Sequence, residues 1–217
     1  MSKKITLVLY PPIINNFNFL SEEKVFFIDS GKLNKLFLQR KNSETLKQDE
    51  LLNLFNVDHN EEISKIVKER NEANLVFINY PRTKIHFNSL NQELLRGDQK
   101  IGKIILLNIS SYELIASLQS EYLTCPICKK IFKKEEVVKE GKFVCPIDNT
   151  YQFSLEEINE FNEQIISHYL KNSKELIEKF LLENNSSSDI IKLTINKKEE
   201  IFSGEIQKNL LNIIRNI

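Results

Sequence analysis

The chain has 217 residues, and its 30 Lys+Arg balance 30 Asp+Glu to leave no formal net charge. That balance removes the bulk electrostatic case for nucleic acid or an anionic membrane surface as a partner. The length suits one α/β domain with an insertion, and no apolar run approaches the length of a membrane span. The opening Met1–Tyr10 segment runs into Pro11-Pro12 too soon for a signal peptide, so a cytoplasmic protein without membrane insertion is expected.

In chain order, Ile5–Leu9, Val25–Ile28, Leu75–Ile78 and Lys103–Asn108 are short, nearly continuous apolar runs, which predict strands buried on both faces of a parallel sheet. The stretches 31–40, 48–55, 63–71, 87–95 and 112–119 have helical spacing. Asp58, Glu61 and Glu62 are expected to favour a helix N-terminus, with His59 exposed in a polar loop. Ser154–Leu182 predicts a long amphipathic helix with Leu155, Ile158, Phe161, Ile165, Ile166, Tyr169 and Leu170 on one face, opened by a Ser154/Glu157 capping box. A polar turn at 184–189, a strand at 190–195 and a helix at 204–217 complete the chain. The alternation of strand and helix predicts an α/β, doubly wound parallel sheet. Its expected parts are a core from 1–119, a lid from 120–153 and a returning core segment from 154–217.

The lid carries the strongest chemical signal. Cys125-Pro-Ile-Cys128 is followed by sixteen residues and then Cys145-Pro-Ile-Asp148, and these are the chain's three cysteines. Two Cys-x-x-ligand knuckles present three thiolates and a carboxylate to one tetrahedral centre, the donor set of a closed structural Zn²⁺ site with no position left for water. A disulfide would leave one cysteine over, and a redox Cys-x-x-Cys would not bring a second knuckle. Ile131–Val144 alternates apolar and charged residues around Gly141, as a hairpin would, with Phe132 and Phe143 as a small core. The Lys129-Lys130 and Lys133–Glu136 run is expected to form its solvated rim.

Tyr80-Pro81-Arg82-Thr83, directly after a predicted strand, resembles the Gly-Phe-Pro-Arg-Thr signature of adenylate kinases. Ile28–Leu33 resembles the strand-to-helix turn of the same family, and the Cys125/Cys128/Cys145/Asp148 quartet has the spacing of the zinc-bearing lid in its long bacterial form. The resemblance implies a P-loop-kinase-like fold, AMP-side helices at about 30–71, and nucleotide-binding positions at Ser30, Gly31, Lys35, Tyr80, Arg82 and His86. Lys35 and His86 stand where the family has an arginine and a glutamine.

The family's phosphate-transfer machinery is where this chain departs. The loop after the first strand reads Tyr10–Asn18, with two prolines, no glycine, and Asn16 at or near the lysine's place. Backbone amides can cradle phosphate only where glycine permits the turn and the close approach. No arginine lies between Arg96 and Arg215. The family's lid arginines fall at Leu118, Tyr122, near Phe153–Leu155 and near Asn162, and its metal-organising acid falls at Ile78. A guanidinium fork is not replaced by leucine or tyrosine. The reading is therefore an inactive adenylate-kinase-like protein with structural Zn²⁺ and no Mg-ATP. It would serve as a structural or regulatory subunit beside other proteins, for example in an ATPase or motor assembly. The alternatives are a divergent working kinase, with Lys24 or Lys32 reaching the cradle, and a sensor that binds AMP weakly without turnover.

Overall fold

A computed structural model of the chain describes residues 4–11, 14, 25–42, 47–52, 54, 57–70, 74–97, 99–149, 151–170 and 189–215. Of the loop at 10–18, only Tyr10, Pro11 and Ile14 are included. Lys24, the predicted helix beyond 170 and the polar turn up to 188 lie outside the described residues.

Five parallel strands form the central sheet: β1 (Lys4–Leu9), β2 (Val25–Asp29), β3 (Asn74–Ile78), β4 (Lys100–Ile109) and β10 (Asp189–Ile195). Their order is β10-β4-β1-β3-β2. The long predicted helix begins at its capping box and runs as α7 (Leu155–His168). The period-two geometry of strands sorts the apolar residues into two cores. Ile5, Leu7 and Leu9 of β1 join Leu75, Phe77, Ile104 and Leu106 on one face. They pack there against α1 (Ser30–Lys41), α3 (Asn60–Glu69) and α4 (Lys84–Arg96) through Leu33, Ile63, Ile66, Val67, Leu90 and Leu94. Val8, Val76, Ile78, Ile105 and Leu107 line the other face under α5 (Tyr112–Glu121), α7 and α9 (Glu205–Arg215). Helices on both faces of a parallel sheet in this order fit the expected P-loop-kinase-like, doubly wound fold. Two short helices, α2 (Gln48–Leu52) and α8 (Lys198–Phe202), complete the helices around this sheet among the described residues.

The lid departs from the expected single hairpin. β5 (Tyr122–Thr124) pairs with β6 (Ile131–Lys133), one helical turn α6 (Lys134–Val137) intervenes, and β7 (Val138–Lys139), β8 (Lys142–Val144) and β9 (Gln152–Ser154) form a second small sheet. Gly141, at φ +74°, makes the β7–β8 turn as expected. α6 interrupts the alternation because Val137 is drawn into the core while Glu135 and Glu136 face solvent, a helical spacing hidden in a strand-like run. Phe143 and Phe153 are fully buried at the centre of the lid. Asn162 of α7 anchors it: Oδ1 accepts from Thr124 N (2.8 Å), and Nδ2 donates to Thr124 O (3.3 Å) and Ile158 O (2.8 Å).

Candidate functional site

The four predicted ligands converge. The sulfurs of Cys125, Cys128 and Cys145 and a carboxylate oxygen of Asp148 all lie within 4.8 Å of one another. The Cys128–Cys145 sulfur separation is 3.6 Å. None of the cysteines forms a disulfide. Metal–sulfur bonds of about 2.3 Å at tetrahedral angles put sulfurs about 3.8 Å apart, so the spacing fits zinc. The knuckle backbones turn their amides toward sulfur: Ile127 N donates to Cys125 Sγ (3.4 Å) and Asp148 N to Cys145 Sγ (3.3 Å). Burial pushes the Cys125 thiol up, while hydrogen bonds from the other two thiols pull Cys145 down. These residues would hold a metal with its coordination filled by protein, and its contribution there is folding energy for the lid.

The knuckle rests on the first turns of α1. Asp29 caps that helix by accepting from Lys32 N (2.7 Å). A methyl group built on Gly31 would lie 2.3 Å from the Cys128 carbonyl oxygen, so only glycine lets the two backbones meet. One turn on, Asn34 Nδ2 lies 3.4 Å from both the Pro126 and Ile127 carbonyls. Lys35 Nζ is 2.9 Å from Asp148 Oδ1, and its pKa is raised chiefly by that bond.

The other resemblance-derived positions form a buried group behind this contact. Ser30 opens α1 and its Oγ is buried. Arg82 is buried, with Nε donating to Asn79 O (2.9 Å), and burial lowers its pKa to about 10. His86 stacks on the buried Tyr80 ring at 4.7 Å, its Nε2–H donates to Val57 O (2.9 Å), and its Nδ1 accepts from Arg82 N (3.3 Å). Both ring nitrogens are thus engaged within the fold. Gly31 and Lys35 are brought to the lid, Ser30 is buried at the start of α1, and Tyr80, Arg82 and His86 sit together in the interior.

Three expectations about neighbouring residues are overturned. His59 is buried, its ring 5.5 Å from that of His86 and 6.1 Å from that of Phe37. Glu62 does not merely decorate a helix terminus: it is buried and accepts from Arg40 Nε at 2.7 Å, tying α3 to α1. Lys129 is also buried, in a left-handed conformation (φ +59°), with its ammonium 5.1 Å over the Phe161 ring. Burial lowers its pKa to about 7, with Arg82 adding to the effect. Tyr122, at a family arginine position, stacks on Phe202 (4.8 Å) beside a cleft of about 550 Å³ that Phe132, Lys133 and Ile147 also line.

No family model matches the chain. It is similar to two curated proteins named adenylate kinase. One, from Mycoplasma mycoides subsp. mycoides, is 28% identical over 127 residues, covering 53% of this chain and 59% of the relative. The other, from Mycoplasma capricolum subsp. capricolum, is 26% identical over 141 residues, covering 64% and 63%. The chain thus spans about three-fifths of the length of these relatives. The chain is adenylate-kinase-like, and its cysteine cluster is compatible with the expected zinc lid. Among the described residues no helix is long and apolar enough to cross a membrane.

Asn34, Lys129 and Asn162 are the site residues that the sequence did not single out for these contacts. Lys129 belongs to the knuckle and not to its rim: its amide donates to Cys125 O (3.0 Å) at φ +59°.

Proposed function

We propose that this chain is a non-catalytic adenylate-kinase-like protein, used as a structural or regulatory subunit of a larger protein assembly. The observation that carries this reading is the contact between α1 and the lid. Gly31 meets the Cys128 carbonyl with no room for a methyl group, so protein backbone occupies the junction of the nucleotide-side helix and the lid. The sequence supports the same reading. The loop at 10–18 has no glycine or lysine, Leu118 and Tyr122 stand at expected arginine positions, and two more are expected near Phe153–Leu155 and near Asn162, where there is none. Phosphoryl transfer depends on placing cations around the migrating group, and losses of about a hundred-fold each within one constellation leave little rate behind. A fold retained without that chemistry is useful through the surfaces it offers, and a metal-stapled lid makes those surfaces rigid.

A second reading, a sensor for AMP-type monophosphates, is favoured by Ser30. Its Oγ is buried at the start of the twelve-residue α1 and has no hydrogen-bond partner among the described residues. Calorimetric titration of the zinc-loaded protein with Mg-ATP, AMP and diadenosine pentaphosphate separates the readings. Silence with all three supports the non-catalytic subunit, and binding of AMP alone supports the sensor. Tight binding of the bisubstrate compound would restore a working adenylate kinase.

A further inference from the structure

Asp148 divides its carboxylate. Oδ1 is held at 2.9 Å by Lys35 Nζ, while Oδ2 is buried and has no hydrogen-bond partner among the described residues. One oxygen thus serves α1, and a carboxylate oxygen of the same residue lies within 4.8 Å of the three sulfurs. The peptide groups of the first knuckle are divided in the same way. Its amide at Ile127 points to Cys125 sulfur, and its carbonyls at Pro126, Ile127 and Cys128 point to Asn34 and Gly31. α1 thus meets the carbonyl side of the knuckle, and the Cys125 sulfur meets an amide on its other side.

We propose that Lys35 is an outer-sphere partner of the metal centre and that metal occupancy and docking of the lid on α1 form one coupled equilibrium. The inference rests on the reading of Cys125, Cys128, Cys145 and Asp148 as a metal site. The charge arithmetic favours it: three thiolates and a carboxylate around a divalent ion leave a net negative complex, which an ammonium at the ligating carboxylate offsets. Lys35 also fixes which carboxylate oxygen is presented, as outer-shell partners of ligating groups do. Because linkage is reciprocal, whatever strengthens docking on α1 retains the metal, and loss of the metal releases α1.

The test uses the full-length zinc-loaded protein. Zinc affinity is read by competition with a chromophoric chelator, and cobalt substitution reports sulfur ligation through its charge-transfer absorption. Lys35→Met is expected to weaken zinc retention about 10- to 100-fold, the usual effect of removing an outer-shell partner. Lys65→Ala, on the solvent side of α3, should leave it unchanged. Asp148→Cys supplies a ligand with no second oxygen, so zinc stays bound and adding Lys35→Met has no further effect. On chelation, hydrogen exchange should rise across residues 30–41 while β1 and β3 stay protected, which separates undocking from global unfolding. Wild-type zinc retention in Lys35→Met, or indifference of α1 exchange to chelation, would overturn the coupling alone. Absence of cobalt–sulfur absorption in the wild type would overturn the metal reading and the coupling with it.

Discussion

His86 offers a quantitative check on the interior packed around Tyr80 and Arg82. Its Nε2–H donates to Val57 O and its Nδ1 accepts from Arg82 N, so the folded state fixes one neutral tautomer between two backbone groups. Protonating Nδ1 would set one N–H against another, in a place already faced by His59, Arg82 and Lys129. Burial first, and then neighbours that include the Arg82 guanidinium, lower its pKa to about 3. An unfolded histidine titrates near 6.5, so between about 6.5 and 3 the unfolded chain binds a proton that the folded one refuses. Stability must therefore fall as the pH falls through that window. Each unit of pH is worth about 1.4 kcal/mol once the unfolded imidazole is fully charged, so going from about pH 6.5 to 5 removes roughly 1.5–2 kcal/mol. His86→Gln does not titrate. Urea unfolding of the two proteins across that range isolates the effect in their difference: the advantage of wild type should shrink by that amount as the pH drops. Parallel curves would refute the argument and mean that the imidazole meets water.

Four other outcomes follow from geometry already described. Cys125→Ser should lower zinc content and raise amide exchange through the lid while β1 and β3 stay protected; exchange rising uniformly would show that the lid and sheet fold as one. Gly31→Ala drives a methyl into the Cys128 carbonyl and should cost about 1–3 kcal/mol in urea unfolding, with faster exchange at the knuckle. Asn162→Leu strands both peptide groups of Thr124 and should cost about 2–4 kcal/mol, read as a lower unfolding midpoint. In Glu62, burial raises the carboxyl pKa, but the His59 ring 3.8 Å away and the Arg40 hydrogen bond outweigh it, so the pKa is net lowered. Arg40→Met should therefore cost about 1–2 kcal/mol near neutral pH, with the loss fading as the pH falls through the folded pKa of Glu62.

Local patterns carried most of the fold. Continuous β-branched runs marked four sheet strands, and Ser154 with Glu157 marked the start of α7, because pairing, capping and burial on both faces leave composition signals within a few residues. The convergence of Cys125, Cys128, Cys145 and Asp148 was legible for a similar reason: a knuckle needs its donors at fixed short spacing. What escaped was decided by packing between distant segments. His59 looks like a loop residue in sequence, but in the fold Phe37, Tyr80, His86 and Glu62 surround it. Lys129 sits in a lysine-rich run that reads as solvated, but the left-handed turn after Cys128 aims it at Phe161. Lys35 meets Asp148 across more than a hundred residues, a separation at which a single sequence carries no pairing signal.

The lid leaves the core at Thr124 and returns to it at the start of α7, and Asn162 rivets the departing strand to the returning helix. A loop with two separate roots can loosen at either end, but a flap whose roots are riveted together has one hinge pin. Any swing of the lid against the sheet must turn both of its strands as a single leaf. On this frame, opening the junction with α1 is a door-like rotation of the whole leaf about the Thr124–Asn162 contact.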